Sequence, residues 1–230
     1  MNNKIYFLGR KQGYSVHKYL PTKIENLRPY EAKGLQLAKC IDRTHFINNA
    51  NILFFRNKPE KTTDKQISQL IKRISKHKDK LIINDINSFY NYDSKDRAFK
   101  IWKDNKLFCP DFISFEHEEI NNHTDIAIEK VKEFFKKNKK IILRTNNDTG
   151  SKSLFVIEDI NEIEKIFNKL ISIVNEKINL FKDSKIICVQ YIELNTENNY
   201  NELYRVHVLF DNILSYYVAT SKKKQFHQAD

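Results

Sequence analysis

The chain has 230 residues, 40% of them hydrophobic and 30% charged, with 16 Phe and 11 Tyr. That is enough apolar material for a core and excludes a wholly disordered chain; at roughly 100–200 residues per domain it makes one large domain or two small ones. Its 40 Lys and Arg against 29 Asp and Glu leave a net charge of +11, which draws phosphate groups, whether of nucleic acid or of nucleotides. A composition this rich in Lys, Asn and Ile also follows from an AT-rich coding sequence, so the charge alone assigns no partner.

Four Gly and four Pro argue against collagen-like and low-complexity classes. No apolar run approaches the ~18 residues of a membrane span. Residues 1–20 carry Arg10, Lys11, His17 and Lys18 and no apolar signal core, so a secretory signal is not expected. Cys40, Cys109 and Cys188 are isolated and odd in number. They form neither a disulfide framework nor a metal spacing, which fits a reducing, cytoplasmic setting.

Along the chain, Ile5-Tyr6-Phe7-Leu8 predicts a strand. Leu35, Leu37 and Ala38 suggest a short helix, and Ile52 to Phe55 a second buried strand stopped at Asn57-Lys58-Pro59. Ile67, Leu70, Ile71 and Ile74 recur at helical spacing within Thr63–Lys78, with Thr63 or Asp64 as cap. Leu81-Ile82-Ile83 then reads as a strand, and strand–helix–strand order suggests an α/β unit. A helix is expected over 94–106, ending before Phe108-Cys109-Pro110. Asp125 is placed as the cap of a helix carrying Ile128, Val131, Phe134 and Phe135, with the basic run Lys136–Lys140 at its end.

Ile141 to Arg144 and Leu154 to Ile157 read as a hairpin joined by a polar loop. The clearest helix carries Ile163, Ile166, Phe167, Leu170, Ile171, Val174 and Ile178. Ile186 to Ile192, Leu203 to Phe210 and Ile213 to Ala219 follow as strands, with a turn at Asp211-Asn212. The second half is therefore an α+β pattern.

Certain positions in that pattern stand out. Lys95 opens a helix 15 residues before Pro110, within SKDRAFKIWKDNKLFCPDF. Arg144 ends a strand before a loop of small residues, within IILRTNNDTGSKSLFVIED. Gln190 lies in the strand ICVQYIEL, and Arg205 lies in ELYRVHVLFDN. Taken singly, each has an ordinary reading: an exposed helix lysine, a strand residue, or an arginine paired with Glu193 or Glu202. In their order and spacing, over about residues 81–220, they resemble the ATP-grasp superfamily. The resemblance is to the branch of glutathione synthetase and the glutamate-adding ligases.

The resemblance implies an N-terminal α/β domain over 1–85. It implies an ATP-grasp-like domain over 86–230, built of two α+β subdomains enclosing a nucleotide cleft. Lys95 and Arg144 would contact the α- and β-phosphates of ATP. The loop around Thr149, Gly150, Ser151 and Ser153 would cover the phosphates with backbone N–H groups. Gln190, Tyr191 and Ile192 would form the adenine hinge, with Ile142 walling the ring. Arg205 is the implied catalytic residue, facing the γ-phosphate, since phosphoryl transfer is served mainly by fixed cations. The implied reaction joins an unidentified carboxylate to an amine or thiol through an acyl phosphate.

Three departures accompany the resemblance. Arg144 stands where the family usually has Lys, and its planar fork differs in geometry. The loop holds one glycine, Gly150. The family's late-strand acidic ligands for Mg²⁺ come after a further helix, whereas 25 residues follow Arg205. The chain is therefore expected to be a truncated or inactive form with no metal residues of its own, and Mg²⁺ is expected only if those ligands are supplied. Glu193-Leu194-Asn195 has the letters of a ligand pair but sits at the hinge.

No zinc pattern, nucleophile elbow, Walker loop or dinucleotide fingerprint is present. A second reading is a non-catalytic basic module in which Tyr216, Tyr217 and Lys222–Lys224 stack on and neutralise a nucleic acid. A third is a structural protein whose pattern coincides with the family's.

Overall fold

The computed structural model describes residues 5–9, 52–56, 64–83, 85, 88, 90–91, 94–148, 153–193, 196–197, 200–209 and 212–221. The helix expected near Leu35–Ala38, the loop residues Thr149, Gly150 and Ser151, and Lys222–Lys224 lie outside the described residues.

Strands β1 (Ile5–Gly9), β2 (Ile52–Arg56) and β3 (Leu81–Ile83) form a parallel sheet in the order β1-β2-β3. Ile5 lies opposite Ile52, and Ile52 opposite Leu81. Near-continuous apolar runs suit parallel strands, which helices commonly cover. Helix α1 (Asp64–Ile74) connects β2 to β3 in sequence. Its Ile67 and Ile74, two turns apart on one face, are buried. The helix stops at Ile74 and not at Lys78; turns follow to Lys80. After Ile74 no apolar residue appears until Leu81, so nothing holds another turn against the core.

Helix α2 (Lys95–Asp104) leads to β4 (Phe112–Phe115), α3 (His117–Asn122) and α4 (Thr124–Asn138). Next come β5 (Ile141–Thr145), β6 (Leu154–Ile157), a 3₁₀ turn at Ile160–Glu162, α5 (Ile163–Lys177) and β7 (Ile186–Gln190). The four strands form an antiparallel sheet in the order β4-β7-β5-β6. Ile141, Leu143, Ile157 and Cys188 pack beneath Val131 of α4 and Phe167, Leu170 and Val174 of α5 in the main core. Phe115 meets Phe167 edge-on at 5.5 Å.

The position expected for the α4 cap shifts. His123 precedes the helix, and Asp125 lies inside its first turn, where a carboxylate still meets the positive end of the helix dipole. Helix α3 was not foreseen; it is too short for a periodic signal. Lys139 closes α4 in the left-handed conformation at φ 65°, and its N–H donates to the Phe135 carbonyl.

A third sheet, antiparallel in the order β10-β9-β8, holds β8 (Thr196–Glu197), β9 (Tyr200–Leu209) and β10 (Asn212–Ser221). Asn212 already pairs with Leu209, so it belongs to the strand and not to the turn expected at Asp211-Asn212. The whole is a mixed α+β architecture.

Candidate functional site

Strand alternation gives the four-stranded sheet two unlike faces. Residues opposite one another across antiparallel strands share a face. Ile142 lies opposite Val156 and Val189, and Arg144 lies opposite Leu154 and Ile187. Phe112 joins them opposite Val189. This face, away from α4 and α5, is apolar in its middle, with one arginine toward the end of β5.

Arg144 is half-buried. Its Nε donates to the Thr145 carbonyl at 3.1 Å and its Nη2 to the Asp148 carbonyl at 2.7 Å. A guanidinium carries five N–H donors, so this side chain shapes the turn after β5 and keeps further donors. Burial pulls its pKa down, and the Asp148 carboxylate works against that.

The base of the loop that follows is tied shut. The hydroxyls of Thr145 and Ser153 lie 2.6 Å apart, and both residues are buried. Asp148 pairs with Lys177 of α5 at 3.0 Å. Burial would raise the Asp148 carboxyl, but bonds from Ser153 and Lys177 outweigh it and hold the group below its ordinary value. Four residues, 149–152, separate the two stems.

A second polar cluster adjoins this turn. The Lys95 N–H donates to the Asn146 carbonyl at 3.0 Å, and the Asn146 N–H to the Lys185 carbonyl at 3.1 Å. Nδ2 of Asn146 donates to Ser94 Oγ at 2.8 Å and to the Asp183 carbonyl at 2.7 Å. Its Oδ1 accepts from the Lys185 N–H at 3.1 Å. The Lys185 ammonium meets Asp96 at 3.0 Å, Glu116 at 2.9 Å and Asp183 at 3.2 Å. Burial opposes that charge, but the carboxylates outweigh it and raise its pKa. Asp183 also pairs with Arg97 at 3.3 Å. The sequence reading missed Ser94, Asp96, Asn146, Asp183 and Lys185. The signal within reach was Lys185 itself, a charge set directly against the apolar run Ile186–Val189.

The hinge takes an unexpected form. Gln190 lies opposite Ile141, on the face that meets the helices. Its Oε1 accepts from the Asp111 N–H at 3.2 Å, and its own N–H donates to the Asp111 carbonyl at 2.8 Å. Strand β7 ends there, so Tyr191 and Ile192 lie beyond the strand that was expected to run to Ile192. The Tyr191 N–H donates to the Lys140 carbonyl at 3.2 Å, and the Lys140 ammonium sits 4.0 Å from the Tyr191 ring centroid. Lys140 also pairs with Glu158 and Glu193.

Arg205 lies opposite Tyr217 in β9–β10 and has no ion-pair partner among the described residues. Glu193 is engaged by Lys140, and Glu202 accepts from the Tyr204 hydroxyl. The geometry thus brings Lys95, Arg144 and Ser153 to one loop system, with the Gln190–Ile192 segment leaving the same sheet.

Among the described residues, no group of three or more His, Cys, Asp or Glu could hold a metal ion. The nearest gathering of acids, Asp96, Glu116 and Asp183, surrounds the Lys185 ammonium, so the described residues do not fit an Mg²⁺ site. No described helix is long and apolar enough to cross a membrane.

No protein-family model matches the sequence, and no curated protein matches it. Solved structures do. L-amino acid ligase from Bacillus licheniformis is similar over 99% of this chain and 55% of its own, with 14% identity and a TM-score of 0.59. D-alanine–D-alanine ligase from Bacillus anthracis is similar over 95% of this chain and 72% of its own, with 13% identity and a TM-score of 0.51. D-alanyl-alanine synthetase A from Vibrio cholerae O1 biovar eltor str. N16961 is similar over 74% of this chain, with 7% identity and a TM-score of 0.45; the chain spans 43% of that protein's length. At these identities the likeness is one of fold, and the chain spans between 43% and 72% of the lengths of these three proteins.

Proposed function

We propose, from the ATP-grasp fold that this chain has, that it binds ATP as part of an ATP-dependent carboxylate–amine or carboxylate–thiol ligase. The observation that carries the reading is the convergence of Lys95, Arg144 and the bonded Thr145–Ser153 stem at one end of an apolar sheet face. Adenine lies on the apolar face of Ile142, Val156 and Val189. The Tyr191 carbonyl and the Ile192 N–H meet its edge, since the Tyr191 N–H already serves Lys140. Gln190 serves the hinge from behind, by fixing Asp111. Lys95, Arg144 and the N–H groups of Thr149, Gly150 and Ser151 gather the phosphates, with Ser153 holding the loop stem. Arg205, on the second antiparallel sheet, meets the γ-phosphate.

In this reading the γ-phosphoryl group passes to a substrate carboxylate and ADP leaves. The amine or thiol then attacks the acyl phosphate and phosphate departs. The protein's contribution is fixed positive charge around a transition state rich in negative charge. The division into domains 1–85 and 86–230 belongs to the same reading. Binding of Mg²⁺ would need carboxylates other than Asp96, Glu116 and Asp183, which Lys185 already engages.

Melting temperatures with ATP and with CTP, on the wild type and Arg144→Ala, test the reading. A ligand at about 100 times its dissociation constant stabilises by about 2.7 kcal/mol. An ATP-selective rise that Arg144→Ala diminishes supports the site. Equal rises with both nucleotides, or none with either, sink it.

A further inference from the structure

Resting on that reading, we infer that Asn146, with Ser94 and Lys185, is a positioning residue that sets the spacing between the two cations of the phosphate site. Lys95 and Arg144 are 49 positions apart in sequence, and neither element by itself fixes where the other stands. Asn146 lies two residues past Arg144, and Ser94 directly precedes Lys95.

The link between them is complete. Asn146 is fully buried. Its N–H, its carbonyl, its side-chain oxygen and both directions of its amide nitrogen have partners on two other segments. A carboxamide supplies two donors and an acceptor at once. Aspartate would lose both donated bonds, and alanine would leave the Ser94 hydroxyl, the Asp183 carbonyl and the Lys185 N–H each short of a partner. Ser94 passes the restraint on to Asp96 at 2.6 Å and Asp183 at 3.2 Å. Lys185 gathers those same two carboxylates from the far side. The start of α2, the turn after β5 and the segment before β7 are thereby held as one body. A buried network in which each member is satisfied specifies a single geometry.

The cluster touches the cations through their backbones, so its effect falls on phosphate-bearing ligands and not on adenine. The test compares wild type, Asn146→Ala and Ser94→Ala for binding of ATP by calorimetry and of adenosine by saturation-transfer NMR, with melting curves to establish folding. A net hydrogen bond is worth ~1 kcal/mol, about fivefold in affinity. The expected result is an ATP affinity lower by about fivefold in Asn146→Ala, a smaller loss in Ser94→Ala, and adenosine binding unchanged in both. An equal fall for ATP and adenosine, or no change in either, overturns the positioning role while leaving the nucleotide site standing. Failure of both variants to fold assigns the cluster to stability and overturns it too. A wild type that binds neither ligand removes the nucleotide reading and the positioning role together.

Discussion

The Lys185 ammonium lies 3.0 Å from the Asp96 carboxylate, with side chains only 7% and 9% exposed. They come from the segment before β7 and the first turn of α2, far apart in sequence. Breaking such a buried pair by removing one partner leaves an uncompensated charge and costs about 3–5 kcal/mol. Lys185→Met falls at the low end, about 3 kcal/mol, because Asp96 keeps Ser94 and Asp183 keeps Arg97. Urea unfolding measures it. A midpoint equal to wild type would show that the pair contributes nothing net.

The acid limb of stability follows from two carboxylates. Burial alone would raise Asp96, but bonds from Ser94 and Lys185 hold it below 3.8, and Asp148 is held down in the same sense. Groups with depressed native pKa values contribute stability that is present above the unfolded value and lost as pH falls through the native one. The native state should therefore weaken progressively below about pH 4. Lys185 is raised above 10.5, so its contribution is present below that value and lost as pH climbs past it. Unfolding curves from pH 7 to pH 2.5 should fall less steeply for Asp96→Asn and Asp148→Asn than for wild type. Parallel curves would remove this assignment.

Arg144 bonds two carbonyls of its own turn. Arg144→Lys keeps the charge but cannot reach both with a fork. It should cost about 1–3 kcal/mol of stability while keeping an ATP-dependent rise in melting temperature. Arg144→Ala should lose stability and the rise together. If Arg144→Lys abolishes the rise, the fork and not the charge meets the phosphates.

Thr145 and Ser153 share a buried hydroxyl pair. Ser153→Ala alone orphans the Thr145 hydroxyl and removes a donor from Asp148, at about 1–3 kcal/mol. Thr145→Val with Ser153→Ala should cost less than the two single changes summed, because removing both polar partners removes the unmet bond. Strict additivity in the double-mutant cycle would mean that the hydroxyls do not depend on each other.

Much of the fold was legible because its elements carry strong local signals. The α5 helix repeats apolar residues at helical spacing, and β5–β6 is a pair of apolar runs around a polar loop. The ends were less legible. Helix α1 stops at Ile74 because burial stops there, and α3 has too few turns for periodicity to register. Lys95 and Arg144 stood out by type and position, and the structure sets the turn after Arg144 against the start of Lys95's helix.

The sequence by itself determined the kinds and order of elements, because helical and strand periodicities are properties of neighbours along the chain. Tertiary structure decided what depends on register, since a shift of one residue sends each strand side chain to the opposite face. Gln190 turns to the helix side because it pairs with Ile141, and not with Ile142. Asn146 becomes a junction because folding brings Ser94 and Lys185, 52 and 39 positions away, within hydrogen-bond reach. No local pattern encodes such distances, which arise when the sheet closes and buried polar groups must find partners.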